Sequence, residues 1–412
     1  MGSANYIIVF NCQSIYASSF TGLIEAPMKR STGRYERTLV AGEAVDAFVP
    51  LPLPPSTPIL VLDEKILHRL DLAEAALRHL DQASGIIPSL EWFRYAFVRK
   101  EAVISSQIEG TRATLVDLLH YESETTAPPS ADVQEVCNHI AALAFAREQI
   151  ASPKGLPISI RLLNEVHHRL MQGVRGADKQ PGEVRRSQNW IGGSRPGNAS
   201  FVPPPPHLLG DLLHTLESYI HADSDTSPLV RVGLIHVQFE TIHPYLDGNG
   251  RMGRLLVTLL LEKWGLLRSP LLYLSLHFKR HRAEYYRRLG AVRVEGDWEG
   301  WLDFFLDGIA TIAEEAVATA RDLSQMVQED RERVLQMETT SVAGLRLFDA
   351  LPDHPIVTAA SAMRLLGVSR PTAGRSIDLL VESGVLVESS GRRRDRWYVY
   401  GRYLDRLRAG TD

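Results

Sequence analysis

The stretch His243-Pro244-Tyr245-Leu246-Asp247-Gly248-Asn249-Gly250-Arg251 decides how this chain folds around its candidate site. An amphipathic helical pattern ends just before this stretch, and Pro244 prevents the pattern from continuing as a simple helix. Gly248 and Gly250 permit a tight loop, and a leucine-rich helical pattern follows at once. A glycine-rich turn that leads into a helix points backbone N–H groups at an anion and adds the helix dipole. The sequence therefore predicts a helix–loop–helix with an anion site in the loop.

The ionisable side chains of this region suit a polyphosphate. Arg251 and Arg254 are three residues apart, so both guanidiniums lie on one face of the second helix. Asp247 would repel a bare phosphate, but it suits a Mg²⁺ ion that bridges phosphate oxygens. His243 is the nearby group that can take a proton near pH 7. A structural turn beside a core histidine would explain a lone histidine, but not nine residues at fixed spacing.

Length and composition exclude several classes of protein. The chain has 412 residues, 44% hydrophobic and 23% charged, so two or three ordinary globular domains are expected. Its net charge of −4 is opposite to that of a protein built mainly to coat nucleic acid. Two cysteines, Cys12 and Cys137, are too few for a disulfide scaffold, and they favour a cytoplasmic location. No apolar run approaches the roughly 20 residues that span a bilayer, so no membrane partner is expected.

Helical periodicity dominates the chain from Asp63 to about Glu338. Gly85 and Gly110 end the first two predicted helices. The expected organisation is an extended or disordered arm at 1–55, a helical region at 56–127, a core with the loop at 128–300, a connecting helix at 301–340 and a C-terminal module at 341–412.

Two segments depart from the helical pattern. Residues 1–55 show no helical period and end in closely spaced prolines, and Met28 is a second candidate start that would leave out residues 1–27. The segment Gly182–Pro206 combines glycines with apolar residues and ends in four consecutive prolines. We expect this segment, called the flap below, to form two strands.

The C-terminal module changes character. Three helical patterns are followed by two short strand patterns, an order that predicts a winged helix-turn-helix. The candidate recognition helix carries Arg370 and Arg375, and the tip between the strands carries Arg392, Arg393, Arg394 and Arg396. Such a basic wing could follow a DNA backbone, but acidic neighbours dilute the charge. Winged helices also serve as protein-docking modules, so both partners stay open.

The loop resembles the signature of the Fic family, in which His-Pro-Phe is followed by Asp/Glu-Gly-Asn-Gly-Arg and, three residues later, by a second arginine. Tyr245 replaces the usual phenylalanine and keeps an aromatic ring. The resemblance continues in Gly182-Glu183-Val184-Arg185, in Gln188–Gly192 and in Phe201–Pro205, and it covers roughly residues 55–340. It implies a mainly α fold: a Fic-type helical bundle with a small β-hairpin flap, here joined to the winged helix-turn-helix.

The resemblance also implies an activity, which is transfer of AMP from Mg-ATP to a Ser, Thr or Tyr hydroxyl of a protein. In this activity His243 deprotonates the target hydroxyl and Asp247 binds Mg²⁺. The target would pair with the flap as an extended strand, and the chain itself is a further target, with a homodimer as one form of self-association. The residues implied to contact ATP are Gly248, Asn249, Gly250, Arg251, Arg254, Tyr285 and Tyr286.

A second motif resembles the family's inhibitory helix. Ser105 and Glu109 are one helical turn apart, and Gly110 ends the helix directly after the carboxylate. The resemblance implies that Glu109 pairs with Arg254 and occupies the position of the γ-phosphate. In some family members the same glutamate supports removal of AMP, so both directions are consistent with this sequence.

Two other functions compete with AMP transfer. A nucleotide-sensing, DNA-binding regulator would use the loop only to bind a ligand, yet such a sensor needs neither the base His243 nor the flap. Transfer of a different phosphate-linked group is the other alternative. The intact Gly-Asn-Gly-Arg with the second arginine favours ATP as an AMP donor.

Overall fold

The computed structural model describes residues 30–86, 90–123, 128–391 and 395–411. The predicted mainly α fold is confirmed, and side chains of Ser130, Ser159 and Ser227 cap three of its helices. The helices up to residue 335 are α1 (Glu64–Ile86), α2 (Leu90–Ile108), α3 (Leu115–Ser123), α4 (Ala131–Ala151), α5 (Ile160–Leu170), α6 (Leu209–His221), α7 (Pro228–Ile242), α8 (Asn249–Lys263), α9 (Ser275–Arg280), α10 (Arg282–Glu295) and α11 (Trp298–Leu335).

Helices α7 and α8 lie at the centre of the helical body. Every residue of α7 after Pro228 is buried, as are nearly all residues of α8, so both helices are surrounded by other elements. The long helix α11 packs on α1 and crosses α7, where Trp301 Nε1 donates to the Gly233 carbonyl at 2.9 Å. The loop between α7 and α8 is therefore held by a rigid core.

Residues 33–50 form a β-hairpin, which corrects the prediction of an extended or disordered arm at 1–55. Strand β1 (Gly33–Val40) pairs antiparallel with β2 (Glu43–Pro50). Ala41 and Gly42, both at positive φ, make the two-residue turn. The prolines at 50–55 favour an extended arm in the sequence, but all of them except Pro50 lie after the hairpin. Residues 1–29, including the candidate start Met28, lie outside the described residues.

The flap does not form the two strands that were predicted. One antiparallel bridge, between Ile191 and Phe201, closes it. The consecutive prolines at 203–206 lack N–H donors, and Gly192 and Gly193 take positive φ, so a longer ladder cannot form. The Phe48 N–H instead donates to the Val202 carbonyl at 2.9 Å, which attaches the β1–β2 hairpin to the flap.

The C-terminal segment contains the elements predicted for it, in the predicted order, and two more. Its strands form a small antiparallel sheet in the order β3-β5-β4. The elements are α12 (Val342–Ala350), β3 (Ile356–Thr358), α13 (Ala359–Leu366), α14 (Arg370–Glu382), β4 (Val387–Glu388), β5 (Trp397–Val399) and α15 (Gly401–Arg408). Strand β3 and helix α15 were not predicted. The basic tip at Arg392–Arg394 lies outside the described residues.

None of the helices in the described part of the chain combines the length and the apolar composition that crossing a bilayer requires.

Candidate active site

His243 stands at the end of α7 in a fixed backbone conformation. Its φ of 50° and ψ of 63° are left-handed, which a non-glycine residue adopts only when its surroundings enforce it. Here the His243 N–H donates to the Phe239 carbonyl at 2.9 Å, and the His243 carbonyl accepts from Arg185 Nε at 2.9 Å. Both peptide groups of the candidate base are therefore held in place.

The His243 imidazole is neutral. Burial lowers its pKa to about 3, and the charge of Arg185 acts in the same direction. Its Nδ1 is buried and has no hydrogen-bond partner among the described residues. An uncharged ring is the protonation state that a general base needs before it takes a proton.

The amide of Asn249 organises the loop rather than reaching outward. Its Oδ1 accepts from the Tyr245 N–H at 2.9 Å, and its Nδ2 donates to the Tyr245 carbonyl at 2.8 Å. The Gly248 N–H donates to Asp247 Oδ1 at 2.6 Å. The side chain that was expected to contact ATP is thus used to shape the turn, because a buried amide must satisfy both of its polar ends.

The tyrosine that replaces the family's phenylalanine has a partner of its own. The Tyr245 ring stacks on His167 with centroids 3.8 Å apart, and its hydroxyl donates to Asn164 Oδ1 at 2.9 Å. His167 accepts the Gly182 N–H at Nδ1 (2.8 Å), so its Nε2 carries the proton and donates to the Asp247 carbonyl at 3.0 Å. His167 therefore joins α5, the flap and the loop, a role that the sequence did not reveal.

Arg185 is a second residue that sequence reasoning missed. It is 1% exposed, and its Nη2 donates to the Pro204 carbonyl at 2.6 Å while its Nε holds the His243 carbonyl. Its backbone N–H donates to the Pro244 carbonyl at 2.9 Å. The loop and the flap therefore share one buried arginine, and the quoted Gly182-Glu183-Val184-Arg185 motif was the available signal.

Arg251 and Asp247 differ sharply in accessibility. The Arg251 side chain is buried, 3.4 Å from Glu135 Oε2 and 3.9 Å from Asp247 Oδ1. Glu135, from α4, also accepts from Thr111 Oγ1 at 2.6 Å, and its role was not foreseen. The Asp247 side chain is 42% exposed. Asp247 is therefore the part of this pair that a ligand can reach directly.

The donor set at Asp247 fits Mg²⁺ delivered with a nucleotide. Among the described residues, no three His, Cys, Asp or Glu side chains cluster as a metal site. Mg²⁺ commonly keeps several waters and binds through one or two carboxylates and substrate phosphates, so one accessible carboxylate is sufficient.

Arg254 is held by α2, the helix that carries the second motif. Its Nη2 donates to Glu109 Oε1 at 2.7 Å and to the Ser105 carbonyl at 2.9 Å. Its Nε donates to the Ser105 hydroxyl at 2.9 Å. A Cβ on Gly250 would collide with the Glu109 carboxylate, so this carboxylate lies directly against the loop. The structure thus brings together the residues of two motifs that are far apart in sequence.

The electrostatics of this pair are those of a strong ion pair. Burial alone would raise the pKa of the Glu109 carboxyl, but the charge and hydrogen bond of Arg254, together with the charge of Arg251, outweigh burial and hold that pKa below its usual range. Burial alone would likewise lower the pKa of the Arg254 guanidinium, but Glu109 raises it. Both groups are charged at neutral pH.

The two tyrosines of α10 have different environments. Tyr285 is 1% exposed and stacks on Phe278. Its hydroxyl donates to His236 Nε2 at 2.9 Å, because His236 Nδ1 donates to the Gly253 carbonyl. This burial argues against the expected contact of Tyr285 with ATP, since a core side chain has no exposed surface. Tyr286 is 44% exposed and stays available to a ligand.

Comparison with known families and structures agrees with this geometry. Residues 67–148 match the Fic/DOC family N-terminal profile, and residues 157–261 match the Fic/DOC family profile, which contains the loop. A crystal structure of a Fic family protein from Desulfovibrio desulfuricans G20 has the same fold, with a TM-score of 0.54 and 22% identity over 82% of this chain and 97% of that one. The chain therefore resembles the Fic/DOC family in these two segments and in its fold.

Curated relatives carry the name protein adenylyltransferase Fic. The relative from Drosophila melanogaster is 27% identical over 298 residues, which cover 68% of this chain and 56% of that protein. The relative from Drosophila willistoni is 28% identical over 278 residues, which cover 65% of this chain and 51% of that protein. The chain therefore spans about half the length of the curated relatives it matches.

Proposed function

We propose that this protein is an adenylyltransferase that moves AMP from Mg-ATP to a hydroxyl of a protein. The observation that carries the proposal is the neutral, backbone-fixed His243 at the head of a loop that also presents Asp247. The matches to the Fic/DOC family profiles and the name of the curated relatives support the same reaction. They do not favour the alternative of a nucleotide-sensing regulator.

In the proposed reaction His243 takes the proton of the target hydroxyl. The freed oxygen attacks the α-phosphorus, the bond to the bridging oxygen breaks, and pyrophosphate leaves. Asp247 would hold Mg²⁺, which neutralises phosphate charge when it is bound. Arg254 provides a buried guanidinium for the γ-phosphate once Glu109 has moved away. Positioning and charge neutralisation supply most of what such a transfer requires.

The flap offers one open edge for a target strand. Ile191 and Phe201 exchange both backbone hydrogen bonds, at 2.8 and 3.1 Å, so the backbones of Trp190 and Val202 face outward on opposite sides. The Val202 side is taken by β2, which leaves the edge at Trp190. Arg185 and Asn189 tie this edge to the loop, so a strand added there would lie at a fixed distance from His243.

We further propose that Glu109 is an inhibitor of this activity in cis. Its carboxylate is bonded to the guanidinium that the γ-phosphate needs, so ATP must displace it to bind productively. Glu109→Gly should therefore incorporate much more AMP into the protein itself than the wild type does. The same carboxylate is a candidate for activating water in the reverse reaction, which would release AMP from pre-modified protein.

The test uses purified full-length protein and ATP labelled at the α-phosphate. Glu109→Gly is expected to incorporate label, and Glu109→Gly with His243→Ala is expected to incorporate none. Mass spectrometry of the product distinguishes an adenylyl adduct from a phosphate or another group. If Glu109→Gly gains no more label than the wild type, the inhibitory role is wrong. A phosphate adduct would replace AMP transfer by phosphoryl transfer.

A further inference from the structure

Helix α2 forms hydrogen bonds with two other parts of the chain. On one side Ser105 and Glu109 bind Arg254. On another, α2 contacts residues 409–411, which we call the C-terminal tail. Lys100 Nζ donates to the Ala409 carbonyl at 2.8 Å, and Gln107 Nε2 donates to the Thr411 carbonyl at 2.9 Å. The tail therefore binds the same helix that carries the proposed inhibitor.

The contact between the tail and α2 is buried and specific. Lys100 is 2% exposed and Thr411 is fully buried. Lys279, from α9, donates to the Thr411 carbonyl at 3.3 Å and to Gln107 Oε1 at 2.8 Å. Gly410 has a φ of 85°, and a Cβ there would lie 3.1 Å from Leu276 Cδ1. These donors recognise backbone carbonyls of a turn, which the Thr411 N–H closes by donating to the Arg408 carbonyl at 2.8 Å, so the site fits a turn of main chain with little room for a side chain at its centre.

Loss of the tail would leave the buried Lys100 ammonium without its carbonyl acceptor, and the half-buried Gln107 amide would keep only the Ala113 carbonyl, at 3.0 Å. A buried ammonium or amide that loses its partner is strongly disfavoured, so the surrounding helix must shift or admit water. Burial already lowers the pKa of the Lys100 ammonium to about 8. Gln107 is two residues before Glu109, and the Glu109 N–H donates to the Ser106 carbonyl at 3.0 Å. A shift at Gln107 is thus transmitted directly to the inhibitory carboxylate.

We propose that the site formed by Lys100, Gln107 and Lys279 binds the backbone carbonyls of a peptide turn, and that the tail fills it in cis and holds α2 in its inhibitory position. The proposal rests on the inhibitory role of Glu109 given above.

A short connection through α15 joins the tail to the C-terminal sheet. Only Tyr400 separates β5 from α15, and the Tyr400 hydroxyl donates to Asp330 Oδ2 of α11 at 2.8 Å. Leu404 and Leu407 bury the inner face of α15. A partner that displaces the C-terminal segment would therefore draw the tail out of its site and free α2.

The test compares three full-length variants. One lacks residues 409–412, the second is Lys100→Met, which keeps the length of the side chain and removes the donor, and the third is the control Arg408→Ala. Arg408 lies next to the tail, but its side chain pairs with Asp405 on the surface. Hydrogen exchange of residues 100–109 is measured by mass spectrometry, with α7 as the internal reference. AMP incorporation is measured in the wild-type and the Glu109→Gly background.

Tail deletion and Lys100→Met should speed exchange in α2 at least about tenfold, and Arg408→Ala should not. Both should raise AMP incorporation at least about fivefold in the wild-type background and add nothing in the Glu109→Gly background. Unchanged exchange in α2 overturns the proposal, whatever the activity. Faster exchange without a rise in incorporation, while Glu109→Gly is active, also overturns it. If Glu109→Gly itself incorporates no more AMP than the wild type, the inhibitory role of Glu109 is wrong. The hydrogen exchange of residues 100–109 then still tests whether the tail holds α2.

Discussion

Removing the Glu109 carboxylate should strengthen ATP binding by an amount that the geometry sets. Glu109 Oε1 lies 2.7 Å from Arg254 Nη2, and the two side chains are 29% and 2% exposed. A hydrogen bond between charged groups contributes about 1.5–3 kcal/mol, and partial exposure of Glu109 places the pair toward the lower end. ATP must break this bond to place its γ-phosphate on Arg254. Because 1.4 kcal/mol is a factor of ten, Glu109→Gly should lower the Kd for Mg-ATP about ten- to hundredfold.

The assay is isothermal titration calorimetry in a His243→Ala background, where no transfer consumes the ligand. Glu109→Gln removes the charge but keeps the shape and a weaker hydrogen bond, so its Kd should fall between those of the parent and Glu109→Gly. Glu122→Gln is the matched control, because Glu122 is also a partly buried partner of an arginine, with its Oε1 2.8 Å from Arg99 Nη2. If both Glu109 variants bind Mg-ATP within twofold of the parent, Glu109 does not compete with the γ-phosphate and the reasoning fails.

Three further predictions concern the loop, its base and the flap. The His243 ring should stay neutral between pH 5 and 8 in NMR spectra, because burial and Arg185 lower its pKa to about 3; a titration midpoint inside that window would contradict this. Asn249→Ala should lower the free energy of unfolding by about 2–4 kcal/mol, because both polar groups of the Tyr245 backbone lose their partner. AMP transfer should fall as well, and an unchanged denaturation midpoint would contradict the prediction. Glu43→Ala should speed hydrogen exchange of the Gly197 amide up to about fivefold, because Glu43 Oε2 accepts that N–H at 3.1 Å on a partly exposed surface; an unchanged rate would show that Glu43 does not hold the flap.

Much of the fold was predictable because helical signals are local. The pattern before His243 and the leucine-rich pattern after it correspond to α7 and α8 within one residue at most bounds. The β1–β2 hairpin was missed although its pairing is local, because the closely spaced prolines at 50–55 favoured an extended arm.

The sequence by itself determined the loop, because its functional residues lie close together along the chain and their types and spacing indicate the chemistry directly. These residues are His243, Asp247, Arg251 and Arg254. Only the tertiary structure decided which side chains support that loop and which oppose it. Arg185 and His167 reach it from other elements, and Tyr285 of α10 turned out to belong to the core. The physical reason is that a buried polar group must find a partner wherever packing brings one within hydrogen-bond distance, and one-dimensional periodicity does not encode that distance.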